Sequence, residues 1–154
     1  MAGVWLAVSL AAAAAVQALS GGAAVTFADG TRVAVEVVAT PESRQRGLMF
    51  REHLPQDRGM VFVFPEPGYY PFWMKNTLIP LDMIWLDARR TVVAIAASVP
   101  PCKADPCPTY APVVDGKAVG NAVYVVEVAS GFARRHGVKV GDRLRMDGVP
   151  ERGK

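Results

Sequence analysis

The sequence predicts an α+β domain of mainly antiparallel β-strands, a compact mixed sheet or barrel-like single domain with two short helices. Three observations predict this class: short apolar runs with a period of two, turn residues between the runs, and two short segments with helix-capping residues. The chain has 154 residues, a length typical of one domain.

The first 18 residues differ in composition from the rest of the chain. They contain no Lys, Arg, Asp or Glu, and Val16 and Ala18 are small residues suited to a signal-peptidase site. A helix needs about 20 apolar residues to span a bilayer, and this run is shorter. It predicts a signal peptide over residues 1–18, with an uncleaved membrane anchor as the alternative. We therefore expect an exported protein, periplasmic or extracellular, that contacts the membrane only through this segment before cleavage.

A Gly/Ala-rich lead-in, residues 19–30, precedes a domain predicted over residues 31–148. "TRVAVEVVA" alternates apolar and polar side chains, which predicts a half-buried strand. In "TPESRQRGLM", Thr40 as N-cap, Pro41 in the first turn and Gly47 as terminator predict a short helix. The continuous apolar run "GMVFVF" predicts a strand buried on both faces.

The second half of the domain predicts a hairpin, a loop, a strand and a second helix. "MIWLDARRTVVAIAA" predicts the hairpin, with a turn around Asp87 to Arg90, and the Pro-rich residues 99–121 predict the irregular loop. "VYVVEV" predicts another strand. "SGFARRHGV" predicts a helix capped by Ser130, with Gly137 in the left-handed conformation after it. "VGDRLRM" predicts a final turn and strand.

Four segments of the chain together resemble a known family. They are "RGLMFREHLPQDRGMVFVF", "FWMKNTLIPLDMIWLD", "VPPCKADPCPTY" and "VVEVASGFARRHGVKVGDRL". In these segments the chain is similar to domain of unknown function 192 (DUF192), a family of small bacterial and archaeal proteins that often carry a leader. The resemblance covers roughly residues 31–147 and implies a compact domain rich in antiparallel strands. It implies no reaction, since the family has none assigned.

The two cysteines of the chain, Cys102 and Cys107, are separated by four residues. In an oxidising compartment such a pair predicts a disulfide, and Asp105-Pro106 favours the turn that brings the sulfurs together. The alternatives are a redox-active pair and half of a metal site. Redox pairs usually have two residues between the sulfurs, and zinc takes four ligands. We therefore expect neither a metal nor a cofactor.

The stretch "PFWMKNTLIPLDMIW", residues 71–85, mixes polar side chains with large apolar ones. One interpretation is a structural turn whose polar groups bond local backbone. The other is a binding site, because a few polar groups in an aromatic-lined recess are typical of small-molecule sites. The candidate ligand-binding residues are Arg46, Met49, Arg51, Trp73, Lys75, Asn76, Thr77 and Asp82, with Phe72, Trp85 and Met60 as further lining.

These side chains favour the binding of a small polar or anionic ligand, or of a protein partner. The second hypothesis is a hydrolase or transferase that uses Asp82 and Lys75, since a carboxylate and an amine can exchange protons with a substrate. The third is a periplasmic copper-binding protein, since thioethers suit Cu(I). The methionines concerned are Met49, Met60, Met74 and Met83.

The formal net charge of +3 comes from basic residues scattered along the chain. Scattered charge is typical of a solvated surface, and without a basic stripe we expect no nucleic-acid binding. His53 falls in a predicted exposed loop. His136 ends the last predicted helix, where a protonated imidazole would complement the helix dipole. The sequence contains no G-x-S-x-G elbow, so it gives little support to a nucleophile–histidine triad.

Overall fold

The main feature of the fold is a curled, seven-stranded mixed sheet that forms half of a barrel. It is seen in a computed structural model that describes residues 22–151. Within this range, two short helices and two small two-stranded sheets accompany the large sheet. The predicted fold class, α+β with mainly antiparallel strands and two short helices, is confirmed.

The helices and strands are numbered along the chain. They are β1 (Ala24–Thr26), β2 (Arg32–Val38), α1 (Pro41–Arg46), β3 (Arg58–Gly68), β4 (Phe72–Trp73), β5 (Leu81–Leu86), β6 (Val92–Val99), β7 (Thr109–Tyr110), β8 (Val113–Val114), β9 (Lys117–Ala118), β10 (Ala122–Ala129), α2 (Phe132–Arg135) and β11 (Arg145–Asp147). The hairpin predicted around Asp87 to Arg90 is therefore formed by β5 and β6.

The central strand of the large sheet is β10, which pairs with β3 on one side and β5 on the other. The strand order is β11-β1-β2-β3-β10-β5-β6, and only β2 and β3 are parallel. A bridge between Thr91 and Arg143 brings the residue before β6 to the segment before β11. The two edges of the sheet therefore approach each other at one end, which gives the sheet its half-barrel form.

The two faces of the sheet carry separate apolar cores. On one face, Val126 of β10 and Phe132 of α2 belong to the same buried cluster. On the other face, Val125 of β10 and Trp85 of β5 pack with Met74 from the loop before β5. Since successive side chains of a strand point to opposite faces, neighbouring valines of β10 serve different cores. All eight residues of β10 are buried.

The first helix has the capping residues that its sequence predicts. Thr40 Oγ1 accepts a hydrogen bond from Ser43 N at 3.2 Å, and Ser43 Oγ accepts one from Thr40 N at 3.1 Å. This reciprocal pair is a capping box. Pro41 starts the helix and Gly47, with a φ of 46°, ends it. A side chain at Gly47 would also crowd Phe62, whose Cζ lies 3.1 Å from the position of a Cβ atom.

The second helix ends as predicted but begins differently. Its N-cap is Gly131, with a φ of 80° and no capping side chain of its own, so the prediction that Ser130 caps the helix is wrong. At the other end, Gly137 has a φ of 59°, and Val138 N donates to Ala133 O at 2.9 Å. The left-handed glycine after the helix is therefore confirmed.

The carboxylate of Asp82, on β5, supplies the cap that Ser130 does not. Its Oδ1 accepts hydrogen bonds from Gly131 N at 3.1 Å and Ser98 N at 2.7 Å, and its Oδ2 accepts one from Ala133 N at 2.8 Å. The residue is fully buried. Three charge-assisted hydrogen bonds offset the cost of removing this carboxylate from water. Asp82 thereby joins β5, β6 and the start of α2.

The loop at residues 99–121 contains the predicted disulfide between Cys102 and Cys107, whose Cα atoms lie 5.8 Å apart. Just after Cys107, β7 pairs antiparallel with β4, and Thr109 lies opposite Trp73. The disulfide therefore closes the loop beside the short strand that carries Trp73.

The predicted signal peptide, residues 1–18, lies outside the described residues. The predicted lead-in, residues 19–30, contributes β1 to the large sheet. Within residues 22–151, no helix has both the length and the apolar character required to cross a membrane.

Replacing Asp82 by Asn is expected to destabilise the fold. The amide nitrogen of Asn cannot accept a hydrogen bond, so at least one of the three backbone N–H groups loses its partner inside the core. A buried unsatisfied donor costs about 1–3 kcal/mol. We expect the free energy of unfolding, measured by urea denaturation, to fall by roughly 2 kcal/mol or more.

Asp115→Asn is the matched control for this substitution. Asp115 is exposed between β8 and β9, and its φ of 49° is one that Asn tolerates. Its replacement should change the free energy of unfolding by less than about 0.5 kcal/mol. Equal stability of Asp82→Asn and Asp115→Asn would contradict the capping role of Asp82.

Candidate functional site

An open recess of about 490 Å³ lies where α1 and the residues after it face the β4–β5 loop. It is the space that the mixed polar and aromatic stretch borders. Its lining residues are Glu42, Gln45, Arg46, Met49, Phe50, Trp73, Lys75 and Asn76. The recess therefore combines two cations, one carboxylate, two amides and two aromatic rings, a composition that suits a small amphipathic molecule.

The "KNT" segment that follows Met74 is a hydrogen-bonded turn. Thr77 N donates to Met74 O at 3.1 Å, and Asn76 has a φ of 56°, a left-handed conformation that Asn adopts more readily than most residues. The Asn76 carbonyl accepts a hydrogen bond from Phe50 N at 2.8 Å. The turn is thus fixed to the segment after α1, and it presents Lys75 and Asn76 to the recess.

Trp73 forms an exposed aromatic wall of the recess. The residue is 43% exposed, and Lys75 Nζ lies 5.4 Å from the ring centroid. An ammonium at this distance interacts favourably with the face of an indole. The contact places a positive charge beside a flat apolar surface.

A smaller cavity of about 30 Å³ lies behind the recess. Both spaces are lined by Gln45, Arg46, Met49, Trp73 and Lys75, so the two are adjacent. The other lining residues of the inner cavity are Gly47, Leu48, Phe62, Thr77 and Glu127. A volume of this size holds about one water molecule or one terminal polar group.

Glu127, in the middle of β10, is the acidic residue of the inner cavity. It is only 4% exposed, and its register partners are Met60 on β3 and Met83 on β5. Burial raises the pKa of the Glu127 carboxyl to about 8, because an apolar environment disfavours the charged form. No side chain of the described residues 22–151 forms a hydrogen bond or an ion pair with it.

Six of the eight predicted ligand-binding residues lie together. Arg46, Met49, Trp73, Lys75 and Asn76 line the recess, and the mostly buried Thr77 lines the inner cavity.

Arg51 and Asp82 do not join this group. The guanidinium of Arg51 donates to both carboxylate oxygens of Glu36, with Nη2 2.7 Å from Oε2, and this pairing lowers the pKa of Glu36. Asp82 alternates along β5 with Met83, the register partner of Glu127, so its side chain belongs to the opposite face. There it is held by its three backbone donors.

The other predicted lining residues belong to the core. Trp85 is fully buried, and its Nε1 donates to Tyr70 O at 2.8 Å. Among the four methionines of the copper hypothesis, Met49 alone lines either space, while Met60, Met74 and Met83 are buried in the core beneath. His136 is engaged with Asp29, with Nδ1 2.8 Å from Oδ2.

The predicted set of site residues does not include Glu127. A sequence pattern that could have identified Glu127 is nonetheless present in "VYVVEV", where a single acidic residue interrupts an apolar, valine-rich strand. A charged residue inside a strand buried on both faces must be neutralised, paired or placed at a cavity. The neighbouring strands that decide between these outcomes are distant in sequence.

Comparisons with known proteins agree with the fold and assign no activity. The sequence profile of DUF192, described as Uncharacterized ACR, matches residues 24–146. A protein of unknown function from Novosphingobium aromaticivorans DSM 12444 is 33% identical, with a TM-score of 0.69, and the match covers 82% of this chain and 88% of that chain. A chain from Sinorhizobium meliloti 1021, provisionally named a transcription regulator, is 32% identical, with a TM-score of 0.67 and coverage of 80% and 91%. Comparison with curated proteins returns no match.

The raised pKa of Glu127 predicts a specific dependence of stability on pH. Its ordinary pKa is 4.5 and burial raises it to about 8, so between these values the unfolded chain loses a proton that the folded chain keeps. The contribution of Glu127 to the free energy of unfolding is complete below pH 4.5 and is lost as pH rises through the pKa of the folded state. In this range the free energy of unfolding decreases by up to about 1.4 kcal/mol per pH unit.

Glu127→Gln isolates this contribution. We expect the free energy of unfolding, measured by urea denaturation between pH 5 and 8, to fall more steeply with pH in the wild type than in the variant. The carboxyl of Glu36, whose pKa is lowered beside Arg51, affects stability at more acidic pH and does not interfere. Parallel profiles for the two proteins would contradict a protonated Glu127 in the core.

Proposed function

This chain belongs to the DUF192 family, which has no assigned activity, and we propose that its recess binds a small anionic ligand with a planar apolar part. One observation carries the proposal. The exposed Trp73 ring and the Lys75 ammonium, 5.4 Å from its centroid, line the same open space. A ligand that stacks on the ring brings its anionic group within reach of the ammonium.

The charges of the recess support an anion over a cation. Arg46 and Lys75 line it with a single carboxylate from Glu42, and the inner Glu127 is largely protonated at neutral pH because burial raises its pKa to about 8. Neither Arg46 nor Lys75 forms an ion pair within residues 22–151. Both cations are therefore available to a carboxylate or another oxyanion.

A protein partner is the second candidate, and exposed apolar side chains favour it. Phe50, which lines the recess, is 64% exposed, and Leu78, which follows the turn at Thr77 in the chain, is 52% exposed. Large apolar side chains at the surface often mark contact sites. A peptide with an acidic residue beside an aromatic one would use the same features as the small ligand.

The other two hypotheses lack support of this kind. A hydrolase or transferase that uses Asp82 and Lys75 requires the two groups to meet, whereas the Asp82 carboxylate lies on the opposite face of the sheet and accepts its three hydrogen bonds from backbone amides. A Met-based copper site requires several thioethers at one opening, and of Met49, Met60, Met74 and Met83, all within the described residues, only Met49 lines the recess.

We also propose that the protein acts after export. The first 18 residues contain no charged side chain, and the Cys102–Cys107 disulfide is typical of oxidising compartments. Exposure of the recess to the extracytoplasmic fluid suits the capture of a dissolved small molecule.

Three probes of similar size test the proposed ligand class. Benzoate, benzyl alcohol and benzylamine share a flat ring and differ in charge. We expect benzoate to bind most tightly in titrations followed by ¹H–¹⁵N NMR, with shifts at the Lys75 and Asn76 amides and at the Trp73 indole. The indole of Trp85, which is fully buried, should shift little.

Lys75→Ala is expected to weaken benzoate binding about fivefold, the size typical of one accessible charge contact. Lys139→Ala, which removes an exposed lysine outside the recess lining, is the control and should bind as the wild type does. Tightest binding of benzylamine, or equal affinities of the two alanine variants for benzoate, would contradict an anion site at Lys75.

Export is tested by the mass of the protein recovered from the extracytoplasmic fraction. We expect a chain that begins at Leu19 and lacks two hydrogen atoms because of the disulfide. Alkylation without prior reduction should leave this mass unchanged. A mass that includes residues 1–18, or the addition of alkyl groups to two thiols, would contradict the proposal.

A further inference from the structure

The inner cavity behind the recess contains a carboxyl group that the fold itself does not use. Glu127 lies in a strand whose eight residues are all buried, yet its carboxyl borders this cavity. A valine at this position would pack with Met60 and Met83 at no electrostatic cost. A buried polar side chain with no partner in the described part of the chain points to a group that enters from outside.

We propose that Glu127 is a ligand-binding residue, and that a carboxylate-bearing ligand places one oxygen in the inner cavity to accept a hydrogen bond from the protonated Glu127. This inference rests on the proposed function of the outer recess. It adds a second contact point, and it narrows the ligand class from anions in general to small carboxylates with an apolar or aromatic body.

The dimensions of the two spaces suit a ligand whose ring lies in the outer recess and whose carboxylate enters the inner cavity. The outer recess, about 490 Å³, accommodates a ring and its substituents, whereas the inner cavity, about 30 Å³, accommodates one terminal group. Lys75 and Trp73 line both. A ligand stacked on Trp73 can therefore extend a carboxylate inward without leaving the aromatic wall.

The groups that face the inner cavity determine the charge that it accepts. Lys75 from the β4–β5 loop and Arg46 from the end of α1 are cations, and Thr77 contributes a hydroxyl. The partners of Glu127 on β3 and β5 are the uncharged Met60 and Met83. An ammonium group in the cavity would meet two cations and a neutral carboxyl, while a carboxylate meets two cations and a donor.

Metal binding is a weaker explanation of the same carboxyl. Divalent cations that prefer oxygen take six or more ligands. Within residues 22–151, no group of three or more His, Cys, Asp or Glu side chains is arranged to hold a metal ion. In this part of the chain, Glu127 is the sole acidic residue that lines the inner cavity.

The proposal makes binding depend on the protonation of Glu127. Ionised Glu127 cannot donate a hydrogen bond, and its charge repels an incoming carboxylate. With a pKa of about 8, the protonated fraction falls about tenfold between pH 7 and pH 9, and the apparent affinity falls in proportion. The affinity for benzoate should therefore decrease as pH rises through this range.

The test is a benzoate titration by NMR at pH 7 and pH 9. We expect the dissociation constant to rise about tenfold in the wild type and to be the same at both pH values in Glu127→Gln. That variant retains Lys75 and Arg46, so any pH dependence due to these cations remains in it. Glu52→Gln, at an exposed carboxyl outside the lining of both spaces, is the control and should keep the tenfold change.

The outcomes separate this inference from the proposed function. A tenfold change that persists in Glu127→Gln overturns the role of Glu127, while weaker binding by Lys75→Ala leaves the anion site standing. If benzoate does not bind, both proposals are overturned. If Glu127→Gln does not fold, the wild-type protein is tested with two probes. Its affinity for benzyl alcohol, which carries no charge, should fall less than about twofold between pH 7 and pH 9. Equal losses of affinity for benzyl alcohol and benzoate would overturn the inference.

Discussion

The central strand β10 is buried on both faces, and this burial organises the large sheet and its two cores. Its backbone hydrogen-bonds to β3 and β5, and its alternate side chains fill two separate cores. No residue of β10 is more than 8% exposed. The carboxyl of Glu127 is consequently held in an apolar environment, and its protonation, its raised pKa and its access to the inner cavity all follow from that placement.

Two carboxyl groups on neighbouring strands show how their surroundings decide their roles. Asp82 on β5 accepts three backbone hydrogen bonds and stabilises the junction of β5, β6 and α2. Glu127 on β10 has apolar register partners, and burial raises its pKa. The side chains of Asp82 and Glu127 point to opposite faces of one sheet. The carboxylate that stabilises the fold is therefore separated by the sheet from the carboxyl that is available to a ligand.

The rim of the recess is organised by local turns and by one covalent bond. The turn after Met74 binds the segment after α1 through the Asn76 carbonyl, and β4 pairs with β7 next to the disulfide loop. These contacts fix the backbone on both sides of Trp73, while its ring stays accessible. The two interpretations of the "KNT" segment, a structural turn and part of a binding site, are therefore compatible. The hydrogen bonds that form the turn also hold Lys75 and Asn76 at the recess.

Features that depend on neighbours in the chain can be predicted from the amino-acid sequence. The capping box at Thr40, the left-handed Gly137, the hairpin of β5 and β6, and the disulfide all arise from local geometry, and most of the recess residues come from two short segments. The other features arise only when distant segments of the chain come together in the fold. The cap of α2, the pairing of Arg51 with Glu36 and the cavity beside Glu127 each depend on groups far apart in the sequence. Hydrogen bonding and desolvation act over a few ångströms in space, and a linear pattern does not record which distant strands become neighbours.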